Sequence, residues 1–336
     1  MTVLYSCEDA FAEHLTGPGH PERPARLRAV DAGIDAHHLR DLLVTFEGRS
    51  ATDEELTRVH PADYVATVER FGATGGGHID SDTVLSEHSA PLARRASGLL
   101  LSALELLQGG LGDAAFVAVR PPGHHATTTT AMGFCLFNHV AVAAAALRES
   151  GERVAIVDID AHHGNGTQDI FWDDPDVLYI SWHQSPAYPY SGALGETGGP
   201  TAPGTVVNIP VPAGTTGEHY RRALEELVAP AVERFGADWI LVSAGFDTHR
   251  ADPLCDLALS AGDVADLTMD LRQLVPSGRL AAVLEGGYDL NALAECSAAM
   301  VASLGGAPMH PEAPSRGGPG APAVDAAVEV HRRLGA

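Results

Sequence analysis

The residues of this chain best suited to chemistry are crowded into positions 153–166, RVAIVDIDAHHGNG. The stretch starts as an apolar run at 154–157 and turns polar at its end. Such a run is too short for a helix of its own and predicts a buried parallel strand. Strand side chains alternate, so Asp158, Asp160 and His162 set out on one side. The carboxyl end of a buried strand is where open α/β sheets hold their sites. Turn chemistry explains a single Asp at a strand end. It does not explain two acids and two adjacent histidines, His162 and His163, within six residues. Such groups are rarely buried unpaired, so a metal centre or a catalytic site is the expectation.

Other polar groups follow apolar runs in the same way. RPPGHHA ends the run at 114–120, where two prolines and a glycine stop the strand and direct His124 and His125 beyond it. The run at 177–183 leads into a long Pro/Gly loop that carries Tyr188. The run at 239–244 leads to Asp247, and the run at 280–284 to Tyr288. Shorter strands are predicted at 3–5 and 206–211. Between them lie helical stretches at 24–43, 61–71, 90–107, 133–148, 217–235, 263–275 and 291–304. Alternating strands and helices predict an α/β fold, a single-domain, mostly parallel multi-stranded sheet with helices on both faces. In such a sheet the polar strand ends converge on one rim.

The glycine-rich stretch 72–83 lacks a following lysine and a strand–helix setting, so it reads as a flexible loop and not a phosphate cradle. Its Asp80 and Asp82 are either solvated or part of a rim that orders on substrate. Residues 1–305 read as one catalytic domain, 306–322 as a Pro/Gly-rich linker, and 323–336 as a terminal helix packing on or near the domain.

Composition removes several classes. The net charge of −23 over 336 residues opposes nucleic acid and anionic membrane surfaces and attracts cationic ligands. All 21 basic residues are arginine, which excludes a Schiff-base lysine, a P-loop lysine and a lysine base. The four cysteines are far apart and form no CxxC pair. The start, MTVLYSCEDA, is not a signal peptide, and the uncharged run at 131–147 is too short to span a bilayer. A reduced, cytoplasmic protein is expected.

RPPGHHA, DIDAHHGNG, SAGFDTHRADPL and EGGY, in this order, resemble the zinc-dependent histone deacetylase family, whose bacterial members include acetylpolyamine amidohydrolases. The resemblance runs from residue 20 to 304, and HPERPARL and HQSPAYP look more like class II members. It implies an arginase/deacetylase-like fold and a zinc-dependent deacetylase, a hydrolase that removes acetyl or a similar short acyl group from an amine. Asp160, His162 and Asp247 match the zinc ligands, and a catalytic zinc wants about three protein ligands and an open position. His124 and His125 match paired histidines beside the attacking water, His125 as general base. Asp158 matches the acid that orients His124, and Asn165 the group that orients His125. Many relatives have Asp at the second place; Asn adds no charge, so a lower His125 pKa is expected. Tyr288 matches the tyrosine that polarises the carbonyl and stabilises the oxyanion.

The resemblance also implies a channel lined by Phe134 and Tyr188, with Gly133 and Gly287. Leu254 stands at a rim position where polyamine-selective relatives have Glu, and Arg23 matches an arginine at the channel foot. Potassium is implied beside the zinc, through Asp158, Ser181 and the carbonyls of Asp160, His162 and Trp182. A second potassium site would use the carbonyls of Phe171 and Val177. His163 matches no ligand and is expected to be structural.

Two alternatives compete. A non-catalytic acyl-lysine binding protein would be expected to have lost a ligand or the tyrosine, and neither is lost. An arginase-like dimanganese ureohydrolase needs further bridging carboxylates, where this chain has Gly164-Asn165 and Thr248-His249. A zinc protease is disfavoured because HExxH is absent. Acylated protein lysine, an acetylated polyamine and a metabolite all remain open as substrates, as does the oligomeric state.

Overall fold

Strands form where the chain offers consecutive apolar residues with no polar face, because both sides of a parallel sheet are covered. The computed structural model describes residues 1–334 and contains ten of them. They are β1 (Val3–Cys7), β2 (Leu43–Thr45), β3 (Gly77–His78), β4 (Val84–Leu85), β5 (Ala114–Ala118), β6 (Val154–Asp158), β7 (Val177–Gln184), β8 (Val206–Val211), β9 (Trp239–Ala244) and β10 (Leu280–Leu284). Eight form one sheet in the order β2-β1-β5-β10-β9-β6-β7-β8, with every pairing parallel. All residues of β5, β6, β9 and β10 are buried. Helices Ser89–Gln108 and His139–Glu149 pack on each other and on these strands. Helices Ala25–Ala36, Ala261–Gln273 and Leu290–Leu304 form a second group around the C-terminal half.

Four local expectations are corrected. The first helix ends at Ala36, and Leu43–Thr45 pairs with β1 as an edge strand. The helix expected from 133 starts at His139, because the Asn138 side chain caps it by accepting from the Ala141 amide at 3.0 Å. The residues before it serve the site instead. The helix read at 217–235 is interrupted by a π turn at Leu224–Val228. Pro230 follows at once and has no amide proton to continue an α ladder. The glycine-rich stretch contains an antiparallel hairpin, β3 against β4, fastened at its tip by Asp80. The Asp80 carboxylate accepts from the amides of Asp82 at 3.0 Å and Thr83 at 2.6 Å.

The Pro/Gly-rich segment after residue 305 is tied to the domain. Glu312 accepts from His249 at 2.7 Å and from the Ala261 amide at 3.0 Å, and the Ser315 hydroxyl donates to Asp263 at 2.6 Å. Helix Ala321–Arg333 packs on β8 and on helix Gly217–Ala223; residues 335 and 336 of the expected terminal helix lie outside the described residues. Among the described residues no helix is long and apolar enough to cross a membrane.

His139 opens its helix with a fully buried ring. Nε2–H donates to the Pro121 carbonyl at 3.0 Å, and Nδ1 accepts from the Ser97 hydroxyl at 2.8 Å. Burial holds its pKa down to about 4. The unfolded value is about 6.5, so between these values the unfolded chain binds the extra proton. The stability this ring contributes is therefore complete above about pH 6.5 and is lost as pH falls toward 4. His139→Gln should flatten the pH dependence of unfolding in that window by up to about 1.4 kcal/mol per pH unit. Urea titrations of both proteins at pH 7 and pH 5 measure the difference; parallel slopes would refute the neutral ring.

Candidate active site

The four strands at the centre of the sheet, β5-β10-β9-β6, are neighbours in space, though of the adjacent pairs only β9 and β10 follow one another in sequence. Their carboxyl ends bring together His124 and His125 (after β5), Tyr288 (after β10), Asp247 (after β9), and Asp158, Asp160 and His162 (β6 and the loop after it). The loop after β7 adds Tyr188.

Asp160, His162 and Asp247 present ligand atoms that all lie within 4.8 Å of one another. His162 Nδ1 stands 3.1 Å from Asp160 Oδ1 and 3.0 Å from Asp247 Oδ2. Ligands about 2.0–2.1 Å from a tetrahedral zinc are about 3.3 Å apart, so these spacings fit such an ion. Backbone amides aim the carboxylates. Asp160 accepts from His162 at 2.8 Å and Gly286 at 2.8 Å, and Asp247 from Ala161 at 2.7 Å. Glycines leave the room: a Cβ on Gly245 would stand 2.0 Å from Asp160 Oδ2, and one on Gly286 2.2 Å from Asp247 Oδ2. Burial and the Asp160 charge push Asp247 up to about 7. Two buried carboxylates with this conflict suit a divalent cation.

The paired histidines sit beside this triad, with ring centroids 4.1 Å apart. His124 Nδ1 donates to Asp158 Oδ2 at 2.9 Å. Burial opposes its charge, but Asp158, Asp160 and Glu285 together push it up to about 10. His125 Nδ1 donates to Asn165 Oδ1 at 2.8 Å, which leaves Nε2 as the free base. Burial, then the charges on His124 and His162, hold His125 well below its ordinary value. The two rings are thus driven apart in basicity, as an acid and a base would be. His163 is turned away, between the Ser191 hydroxyl at 2.8 Å and Gln168 at 3.0 Å.

A cavity of about 690 Å³ leads down to His125, His162 and Tyr288. Gly133, Phe134 and Tyr188 line it, and Leu254, 45% exposed, stands at its mouth with His20 and Asp82. Gly133 and Phe134 both adopt left-handed backbone, at φ +56° and +69°. A Cβ on Gly133 would come within 2.4 Å of the His125 ring, so only glycine fits between wall and base. Strain at the non-glycine Phe134 is of the kind found at functional sites. The Phe134 ring meets Tyr288 edge to face, with centroids 5.9 Å apart. Burial raises the Tyr288 hydroxyl far above its usual range, so it stays a neutral donor.

Arg23 does not reach this place; it is exposed. Helix Ala25–Ala36 starts just after it, and Arg26, facing inward, occupies the foot of the site. Arg26 Nε donates to the Gly287 carbonyl at 2.7 Å, and its guanidinium lies 5.2 Å from the Tyr288 ring centre. Fully buried Glu22 pairs with Arg26 at 3.2 Å and with Arg120, whose Nη2 donates at 2.8 Å. His14 Nε2 stands 3.3 Å from the same carboxylate. Against the cost of burial, Arg120 and His14 hold Glu22 well below the usual carboxylate range. Sequence reading also missed Glu285, which accepts from the Gly123 amide at 2.6 Å and the His124 amide at 3.1 Å and so fixes the histidine turn. It missed Asp252, which accepts from the amides of Leu254 at 2.9 Å and Tyr288 at 2.7 Å. The available signal was the i,i+4 spacing of Glu22 and Arg26 and the acids inside the ADPL and EGGY motifs.

Residues 20–304 match the model of the histone deacetylase domain. The chain is 38% identical over 297 residues to a histone deacetylase-like amidohydrolase of Pseudomonas aeruginosa, covering 86% of this chain and 77% of that protein. It is 37% identical over 305 residues to a probable deacetylase of Archaeoglobus fulgidus, covering 89% of this chain and 85% of that one. The crystal structure of the HDA15 HD domain superposes with a TM-score of 0.91 at 34% identity, over 99% of this chain and 94% of that chain.

Arg120→Met should leave the Glu22 charge underpaired in a fully buried place. Breaking such a pair costs about 3–5 kcal/mol. Urea unfolding of the variant measures it, and a loss below about 1 kcal/mol would show that Arg26 and His14 suffice.

Proposed function

Since this chain belongs to the histone deacetylase family, we propose that it is a zinc-dependent amidohydrolase that removes acetyl, or a similar short acyl group, from an amine. The observation that carries the reading is the meeting of three things at the closed end of one channel: the Asp160–His162–Asp247 triad, a histidine pair of split basicity, and a neutral tyrosine. A zinc ion held by that triad would supply a Lewis acid for the acyl carbonyl and for water.

In this reading His125 accepts the proton of the attacking water at Nε2, because its Nδ1–H is committed to Asn165. The histidine pair returns a proton to the leaving nitrogen, with Asp158 supporting the charge on His124. Tyr288 donates its hydroxyl to the oxygen that gains charge, and Arg26 beneath its ring holds the Gly287 turn that presents it. Phe134 and Tyr188 flank a slender acyl-amine and keep bulk water from it. Potassium would be held beside this site by Asp158 and Ser181, which face each other across β6 and β7, with the carbonyls of Asp160, His162 and Trp182. The carbonyls of Phe171 and Val177 would hold a second ion. The cysteines of the described residues are all unpaired, which supports a reducing compartment such as the cytoplasm.

Purified protein should contain about one zinc per chain and should hydrolyse a fluorogenic acetyl-lysine peptide until a chelator is added. Two manganese ions per chain, or turnover indifferent to chelation, would refute the reading. Tyr288→Phe should retain the zinc yet lose about a hundredfold or more in kcat, the usual effect of removing one oxyanion donor. An unchanged rate would remove that role. Leu254→Glu should raise activity on acetylspermidine relative to acetyl-lysine peptide, measured as a ratio of kcat/KM; a constant ratio would discount the rim position.

A further inference from the structure

A second cavity, of about 380 Å³, lies directly beside the mouth of the channel. Tyr64, Val68 and Phe71 of helix Ala62–Ala73 line it, together with Ile79 and Thr130 from two other segments. His78 borders both this cavity and the channel, so the two adjoin on either side of the hairpin of β3 and β4. The walls are mostly apolar, and Ile79 is left 39% exposed on them. This volume lies within the size range of ligand pockets.

The dividing hairpin is held in place. Its tip is closed by the Asp80 carboxylate, and the Thr83 hydroxyl accepts from the amide of the channel residue Phe134 at 3.1 Å. His20 Nε2 donates to the Asp82 carbonyl at 3.0 Å on the channel side. A substrate seated in the channel therefore meets a fixed ridge, with an apolar hollow on its far side. An acylated polyamine has nothing apolar to put there, since its remainder is a cationic chain. A polypeptide does, because residues flanking an acylated lysine project side chains across the mouth.

We propose that this hollow is a second substrate subsite, which takes an apolar side chain flanking the acylated lysine, so that the substrate is a polypeptide and not a free acylamine. This rests on the deacylase reading. Burying such a side chain stabilises the complex and its transition state alike, so the subsite acts on kcat/KM.

The test compares kcat/KM on acetyl-lysine peptides that carry Leu or Gly beside the lysine, on a one-residue acetyl-lysine coumarin amide, and on N-acetylspermidine. The Leu peptide should exceed the Gly peptide by about tenfold, and both should exceed N-acetylspermidine. Ile79→Asp and Thr130→Asp, two exposed positions that line the hollow, should each bring the Leu-to-Gly ratio to within about twofold of one. Because the readout is a ratio within one protein, a general loss of activity or of folded protein does not mimic it. Equal rates on Leu and Gly peptides, a ratio untouched by both variants, or a preference for N-acetylspermidine would each overturn the subsite while leaving the deacylase standing. Failure to hydrolyse any of the four substrates would overturn the deacylase reading, and the subsite with it.

Discussion

Two fully buried carboxylates, Asp160 and Asp247, converge on one imidazole nitrogen of His162. That concentration of negative charge in a dry place is the constraint on which the rest depends. Burial, and then the charge of Asp160 so close by, push Asp247 up to about 7. The fold counters this with backbone amides from Ala161, His162 and Gly286, and with glycines where any side chain would collide. A divalent cation held there would complete the balance.

The second layer of charge follows from the first. Asp158 and Glu285 sit beneath the histidine pair, one on the His124 ring and the other on the backbone of the turn that carries it. At the foot, Arg26 and Arg120 share Glu22, and Arg26 also grips the carbonyl of Gly287 one residue before Tyr288. Asp158, Glu22, Arg26 and Arg120 are each paired, while Glu285 is held by backbone amides. Such pairs are weak evidence for stability as a whole, yet losing one partner is costly. Here they fix the histidine turn and the angles at which His125 and Tyr288 face the cavity. The strained backbone at Phe134 and the glycine before it let one channel wall approach the base closely.

Outside the chemistry, specificity is a matter of relief around the mouth. Leu254 makes one edge apolar, and Asp82 another acidic, while the β3–β4 hairpin separates the channel from the neighbouring hollow. Strands of only two residues in a glycine-rich stretch leave no pattern in the sequence, so the hairpin is legible only in the structure. Its order comes from side-chain contacts to Asp80 and Thr83.

The sequence by itself determined seven of the ten strands, their parallel arrangement and the groups at their ends. Buried parallel strands need unbroken apolar runs, and a polar cluster such as DIDAHHGNG after one has no other inexpensive explanation. Asp158, Asp160, His162, His124, His125, Asp247, Tyr188 and Tyr288 were therefore legible, and the structure brings all of them to one site. What only the tertiary structure decided is which charges are shared between distant segments. Arg23 and Arg26 lie in the same short motif, and only the point where the helix begins turns Arg26 inward and leaves Arg23 in solvent. Glu22 and Arg120 are 98 residues apart, and Glu285 and Gly123 are 162 apart. Those pairings rest on strand order, β5-β10-β9-β6, which follows from how helices pack over the sheet and leaves no periodic trace in the chain.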